Sequence, residues 1–161
     1  MNRPYDRSSR AVEPAALDAA LRDAIAAHAE AHQLGDVLAA ARACCATRSV
    51  RRSRPGLLAR LTGSGDPDRE HTTVALLTPR ALVIAVTGER RGLHVRSILL
   101  ADASVDASPL TAALDPGGAG VHGLWSGATE ASLFHLGLGE DDAGAAFRAA
   151  LVAAVTEAKT A

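Results

Sequence analysis

Six histidines, two adjacent cysteines and an unevenly spread set of arginines are the residues of this 161-residue chain with the most chemistry in them. His28 and His32 stand four apart, which sets two imidazoles on one side of a helix, but a metal centre needs a third and a fourth ligand. The stretch "HAEAH" is not the H-E-x-x-H pattern of a zinc protease. His71, His94, His122 and His135 are scattered, and nothing in the sequence draws them together. No metal site is expected. Cys44 and Cys45 are adjacent, and adjacent cysteines rarely bridge because the geometry is strained. Cys45 also falls on an apolar stripe, so packed, reduced thiols are expected rather than a nucleophile. Glu140, Asp141 and Asp142 point apart on a helix and suit the positive end of its dipole better than acid–base pairing. No cofactor and no catalytic residue are expected, and the chain reads as a non-enzyme.

What remains is arginine, since Lys159 is the one lysine. Arg80 in the turn "PR", Arg90 and Arg91 in the turn "GERR", and Arg96 on the stretch that follows are candidates for binding an anion. A guanidinium suits this because its rigid fork pairs with two oxygens at once. Arg48, Arg51, Arg52 and Arg54 lie in a stretch without acidic residues and could face an acidic partner or an anionic membrane. A net charge of -1 and a 2% aromatic content argue against nucleic acid, which attracts basic surfaces and stacks on rings.

The elements that would position these groups follow from periodicity. Residues 1–13 are polar and irregular and read as a flexible N-terminus. Residues 14–46 read as a helical segment, one helix or two broken near Gly35, with Pro14 at its first turn. Its stripe of Leu17, Leu21, Ile25, His28, Leu34, Leu38, Ala41 and Cys45 must be covered by this chain's own sheet or by another copy. Residues 47–70 are an Arg/Gly/Pro-rich connector in which "GLLARL" forms a helical turn with its leucines tucked inward. "HTTVALLT" at 71–78 and "ALVIAVT" at 81–87 read as a hairpin. "GLHVRSIL" then alternates, with Leu93, Val95 and Ser97 on one face and His94, Arg96 and Ile98 on the other. A short strand near Val105, a loop at 108–120, a last hairpin over 121–139 and a helix over 140–159 complete the chain. Trp125 is expected to pack near that helix; exposed, it would be the best contact anchor present.

The order is strands in sequence followed by a helix, without strand–helix alternation. That predicts an α+β fold: a small curved antiparallel sheet closed by a C-terminal helix, with an N-terminal helix appended. "VALLTPRALVIAV" at 74–86 and "RSILLADASVD" at 96–106 resemble the opening hairpin and the next element of bacterial pleckstrin-homology-like and GRAM-like domains. The resemblance covers residues 70–158 and implies a PH-like barrel or half-barrel over 71–159. It also implies a largely non-catalytic role in binding phosphoinositides, membranes or protein segments. Lipid-binding members carry several basic residues around the first hairpin loop. Here that loop is only Pro79-Arg80, and Arg90-Arg91 in the next loop would have to serve.

Three functions follow, in order. The first is a protein-interaction or assembly module, self-associating or meeting a protein partner through Leu17, Leu21, Ile25 and Leu38, with Trp125 and the 48–54 arginines as further contacts. The second is a peripheral membrane or anionic-ligand module using Arg80, Arg90, Arg91 and Arg96. The third is a small-ligand carrier or enzyme. The N-terminal stretch has no apolar core of a secretion signal, and no apolar run nears the ~20 residues of a membrane span. A cytoplasmic location, with peripheral attachment to a membrane as the alternative, is expected.

Overall fold

The apolar runs at 74–77 and 81–85 have no polar side, and the fold buries them from both faces. The structure, a computed structural model, describes residues 3–52, 56–62, 68–106 and 108–161. Its elements are β1 (Tyr5–Ala11), α1 (Ala19–Ala31), β2 (Ala43–Arg51), α2 (Leu57–Thr62), β3 (Glu70–Leu77), β4 (Ala81–Gly88) and β5 (Gly92–Leu99). They continue with β6 (Ser104–Asp106), α3 (Pro109–Leu114), β7 (Ala119–Gly123), β8 (Ser132–Leu136) and α4 (Asp142–Thr160). β1 to β5 form one antiparallel meander in chain order, and β6 to β8 form a second, three-stranded sheet. The fold is α+β, with a C-terminal helix on antiparallel sheets. No helix among the described residues is long and apolar enough to cross a membrane.

The large sheet separates two cores. On one face α1 lays Leu21 and Ile25 against Ala46, Val74, Leu76, Val83 and Ala85. On the other, Ala75, Leu77, Leu82, Ile84 and Ile98 meet Val121 and Leu136 of the small sheet and Phe147, Leu151 and Val155 of α4. This double burial is why β3 and β4 read as continuous apolar runs while β5, at the sheet edge, alternates. Asp141 starts α4: its side chain accepts from the Gly144 N–H at 2.9 Å and from the Ser9 N–H of β1 at 2.7 Å. One carboxylate thus caps the helix and fastens it to the first strand.

Several expectations need correction. Residues 5–11 are not flexible; they pair with β2 from Tyr5↔Arg51 to Ala11↔Cys45. Their alternation is polar on both sides, so no hydrophobic period marks it. The helix does not reach residue 46. It ends at Ala31, the backbone turns at Gln33 with φ 56°, and Cys44 and Cys45 lie in β2. Ala43 and Ala46 favour helix by propensity, but the small side chains of Ala43–Ala46 suit a strand covered on both faces. β2 also takes the first residues assigned to the connector, and the 108–120 loop contains α3. Leu57, Leu58 and Leu61 of α2 are not tucked inward: they are 74%, 78% and 75% exposed. Val152 of α4 is exposed.

The proposed contact stripe is likewise spoken for. Leu17, Leu21 and Ile25 are buried against this chain's own sheet, with Leu38 partly buried beside them. They are not free to meet a partner. Trp125, 4% exposed, sits in the other core with its ring 5.3 Å from that of Phe134. If α1 is a cover for the sheet, Ile25→Ala should lower the unfolding free energy by about 2–5 kcal/mol. Urea denaturation measures this, and a loss below about 1 kcal/mol would contradict the assigned burial.

Candidate functional site

The face of the large sheet that carries the second core is apolar only at one end. Register sets its other end in rows: Arg7 opposite Ser49, Ser49 opposite His71, Thr73 opposite Val86, and Val86 opposite His94. Arg96 follows His94 by two along β5 and so shares its face. The small sheet brings Phe134 and His135 over these rows. Between them is an open cavity of about 490 Å³, also lined by Tyr5, Arg91 and Gly137. No acidic side chain is among the lining groups.

The three arginines are held in three ways. Arg7 is sunk deepest and pairs through Nη1 with Asp115, the two side chains being 15% and 20% exposed. Asp115 Oδ2 also receives His135 Nε2 at 2.6 Å. An ionised carboxylate can only accept, so that nitrogen carries the proton. Two glycines make the room. A Cβ on Gly137 would lie 2.5 Å from Arg7 Nε, and one on Gly118 would lie 2.6 Å from His135 Nε2. Arg91 is bound by the buried Asp68, which accepts from Arg91 Nε at 3.1 Å and from the backbone N–H of Arg90 and Arg91 at 2.7 and 3.2 Å. Arg96 differs. Its guanidinium lies 4.6 Å from the centre of the Phe134 ring, and among the described residues no carboxylate pairs with it. Two of the three cations are neutralised locally and one is not.

The imidazoles add charge that depends on pH. Burial, and then the Arg7 cation, push His135 below its ordinary value near 6.5. Burial and Arg7 do the same to His71, with Asp68 opposing. His71 meets the Tyr5 ring edge-on at 5.4 Å. His94 Nε2 donates to the Arg91 carbonyl at 2.6 Å, which steadies the turn. Burial also lowers the Arg7 guanidinium from its ordinary value. The site is therefore cationic at neutral pH through its arginines, and protonation of His71 and His135 adds to that charge in acid.

Of the anion-binding residues expected from sequence, Arg91 and Arg96 meet here. Arg90 contributes its backbone to Asp68, and its side chain is not among the lining groups. Arg80, in the β3–β4 turn, is at the opposite end of the strands and does not join them; there Thr78 Oγ1 accepts from the Arg80 and Ala81 N–H groups. Arg48 forks onto Glu70 and Arg52 pairs with Asp6, so the basic stretch is laced into ion pairs across the sheet. Arg51 ends β2 opposite Tyr5. Arg54 lies outside the described residues. Tyr5, Arg7, His71, His94, Phe134 and His135 are not a group that the sequence reveals, because they come from four strands, β1, β3, β5 and β8, far apart in the chain. His28 stacks on His32 at 4.3 Å and bonds Ser97 Oγ through Nε2 at 2.9 Å. Among the described residues no group of three or more His, Cys, Asp or Glu side chains is gathered for a metal. The cysteines are buried away from the cavity, and burial pushes the Cys44 thiol up to about 11.

Compared with known proteins, the chain matches no family model, no curated protein and no solved structure. The likeness of residues 70–158 to pleckstrin-homology-like domains has no support beyond its short motifs.

His28, His71 and His135 are all held below their ordinary value near 6.5 by burial first. An unfolding chain takes up protons at these positions before the folded one does. The stability they contribute is therefore present above about pH 6.5 and lost as the pH falls below it. The melting temperature should drop between about pH 7.5 and about pH 5, and His71→Gln with His135→Gln should flatten that fall. An unchanged slope in the double variant would remove these histidines from the account.

Proposed function

We propose that the protein is a non-catalytic module that binds an anionic ligand, a phosphate or carboxylate on a small organic body, in the cavity between its two sheets. The observation that carries this reading is Arg96: a guanidinium set over Phe134, without a carboxylate partner among the described residues, in a cavity with no acidic lining. Arg7 and Arg91 add positive potential while their own carboxylates hold them in place. The volume of about 490 Å³ falls within the range of small-molecule sites and exceeds what a bare oxyanion needs. Phe134, Tyr5 and Val86 offer apolar surface to the rest of such a ligand. The reading is a binding one because it rests on the arginines and on the ring and apolar faces of the cavity, which supply charge and contact surface.

Trp125 reports on the site, since its ring contacts Phe134, the platform for Arg96. Inorganic phosphate should change its fluorescence saturably. Arg96→Gln should weaken binding about tenfold or more, as loss of a charged hydrogen bond costs about 1.5–3 kcal/mol. Binding of sulfate, whose charge is constant over this range, should also tighten as the pH falls and His71 and His135 gain protons. A response that is not saturable, or is indifferent to Arg96, would refute the proposal.

A further inference from the structure

The large sheet has an edge at β5, and half of that edge is open. At Ser97 the outer backbone groups are occupied: its N–H donates to Ser126 Oγ at 2.9 Å and its carbonyl accepts from the Ser126 N–H at 2.8 Å. Strand backbones alternate, so Leu93 and Val95 turn their N–H and carbonyl groups the same way as Ser97. No hydrogen bond to those groups is found among the described residues. Gly92, His94 and Arg96 are exposed around them. An exposed row of donors and acceptors is a template for another strand.

We propose that this edge receives an extended segment of a partner protein, adding a strand beside Gly92–Arg96 and setting acidic side chains next to His94 and Arg96. The choice of an acidic residue rests on the anion-binding reading above; the edge itself does not. Cross-strand neighbours on one face lie about 4.5–5.5 Å apart, so alternate residues of the segment would border Arg96 and His94 at the rim of the cavity. The residues between them would border Leu93 and Val95, which share the face covered by α1. The segment read from this face therefore alternates acidic and apolar. A second copy of the chain fits poorly: antiparallel pairing about Val95 would set His94 against Arg96 twice, basic against basic.

The full chain can be tested with an end-blocked synthetic heptapeptide, Thr-Val-Glu-Val-Glu-Val-Thr, and its counterpart with lysine in place of glutamate. The readouts are amide hydrogen exchange at Leu93 and Val95, and the Trp125 response to inorganic phosphate. Saturating glutamate peptide should slow exchange at both amides about tenfold or more, and the lysine peptide should not. Val95→Pro removes an outward donor and no bond to β4; it should abolish peptide protection at Leu93 and leave the phosphate response in place. A glutamate peptide N-methylated on alternate residues makes the same test without altering the protein and should fail to protect. No protection while phosphate still binds overturns the edge proposal alone. If neither probe binds, the anion reading falls with it. Equal protection by the lysine peptide overturns the acidic partner, and protection that rises with protein concentration without peptide overturns it in favour of a second copy.

Discussion

The register between Glu70–Leu77 and Ala81–Gly88 is the constraint on which the rest depends. It opposes Ala75 to Ile84 and Leu77 to Leu82 on one face, and Val74 to Ala85 and Leu76 to Val83 on the other. A slip of one residue would exchange the faces. It would also carry His71 and Thr73 to the face that holds the α1 core. The same pairing that gives α1 and α4 their seats therefore leaves one end of one face polar. The cavity is the part of the sheet that the second core does not cover.

Placing charge there has a cost, and the structure shows how it is offset. Arg7 and Asp115 are both largely buried, and a buried pair of this kind is seldom more stable than an apolar replacement. Asp115 accepts from both Arg7 and His135, and Gly137 and Gly118 leave space that any side chain would fill. Asp68 spends its carboxylate on the turn that presents Arg91. Both devices fix positive groups at the cavity wall without cancelling Arg96. Stability alone does not account for this, and the proposed anion site gives the arrangement a purpose.

Much of the architecture was legible in the sequence, and the illegible parts share a physical reason. The hairpin through Pro79, the alternation of β5 and the capped last helix declare themselves through runs, period two and acids at the helix start. β1 does not, because Tyr5, Arg7 and Ser9 alternate with Asp6, Ser8 and Arg10, and hydrophobicity never changes sign along it. β2 was hidden by Ala43–Ala46, where the alanines small enough to lie under both cores are also strong helix formers and the cysteines continue the spacing of the preceding apolar stripe. Arg91 and Arg96 could be singled out as a turn and an outward strand position. Arg7, His71, Phe134 and His135 could not, since they enter from three strands in two sheets and only register and sheet packing bring them together.

Ser97 shows how the two faces of the sheet are tied. Its hydroxyl meets His28 of α1, while its backbone meets Ser126 in the connection between β7 and β8. Helix, edge strand and small sheet are joined at this one residue, and His28, kept below its ordinary value by burial and by His32, is held there as a neutral partner. The joint closes the β5 edge where the second core needs it closed. Beyond it the small sheet has already turned away to carry Phe134 and His135 over the cavity, so no element of the described chain is left to cover Gly92–Arg96. The open edge and the open cavity thus lie side by side where the two sheets part, with Arg96 of β5 at the rim of the cavity.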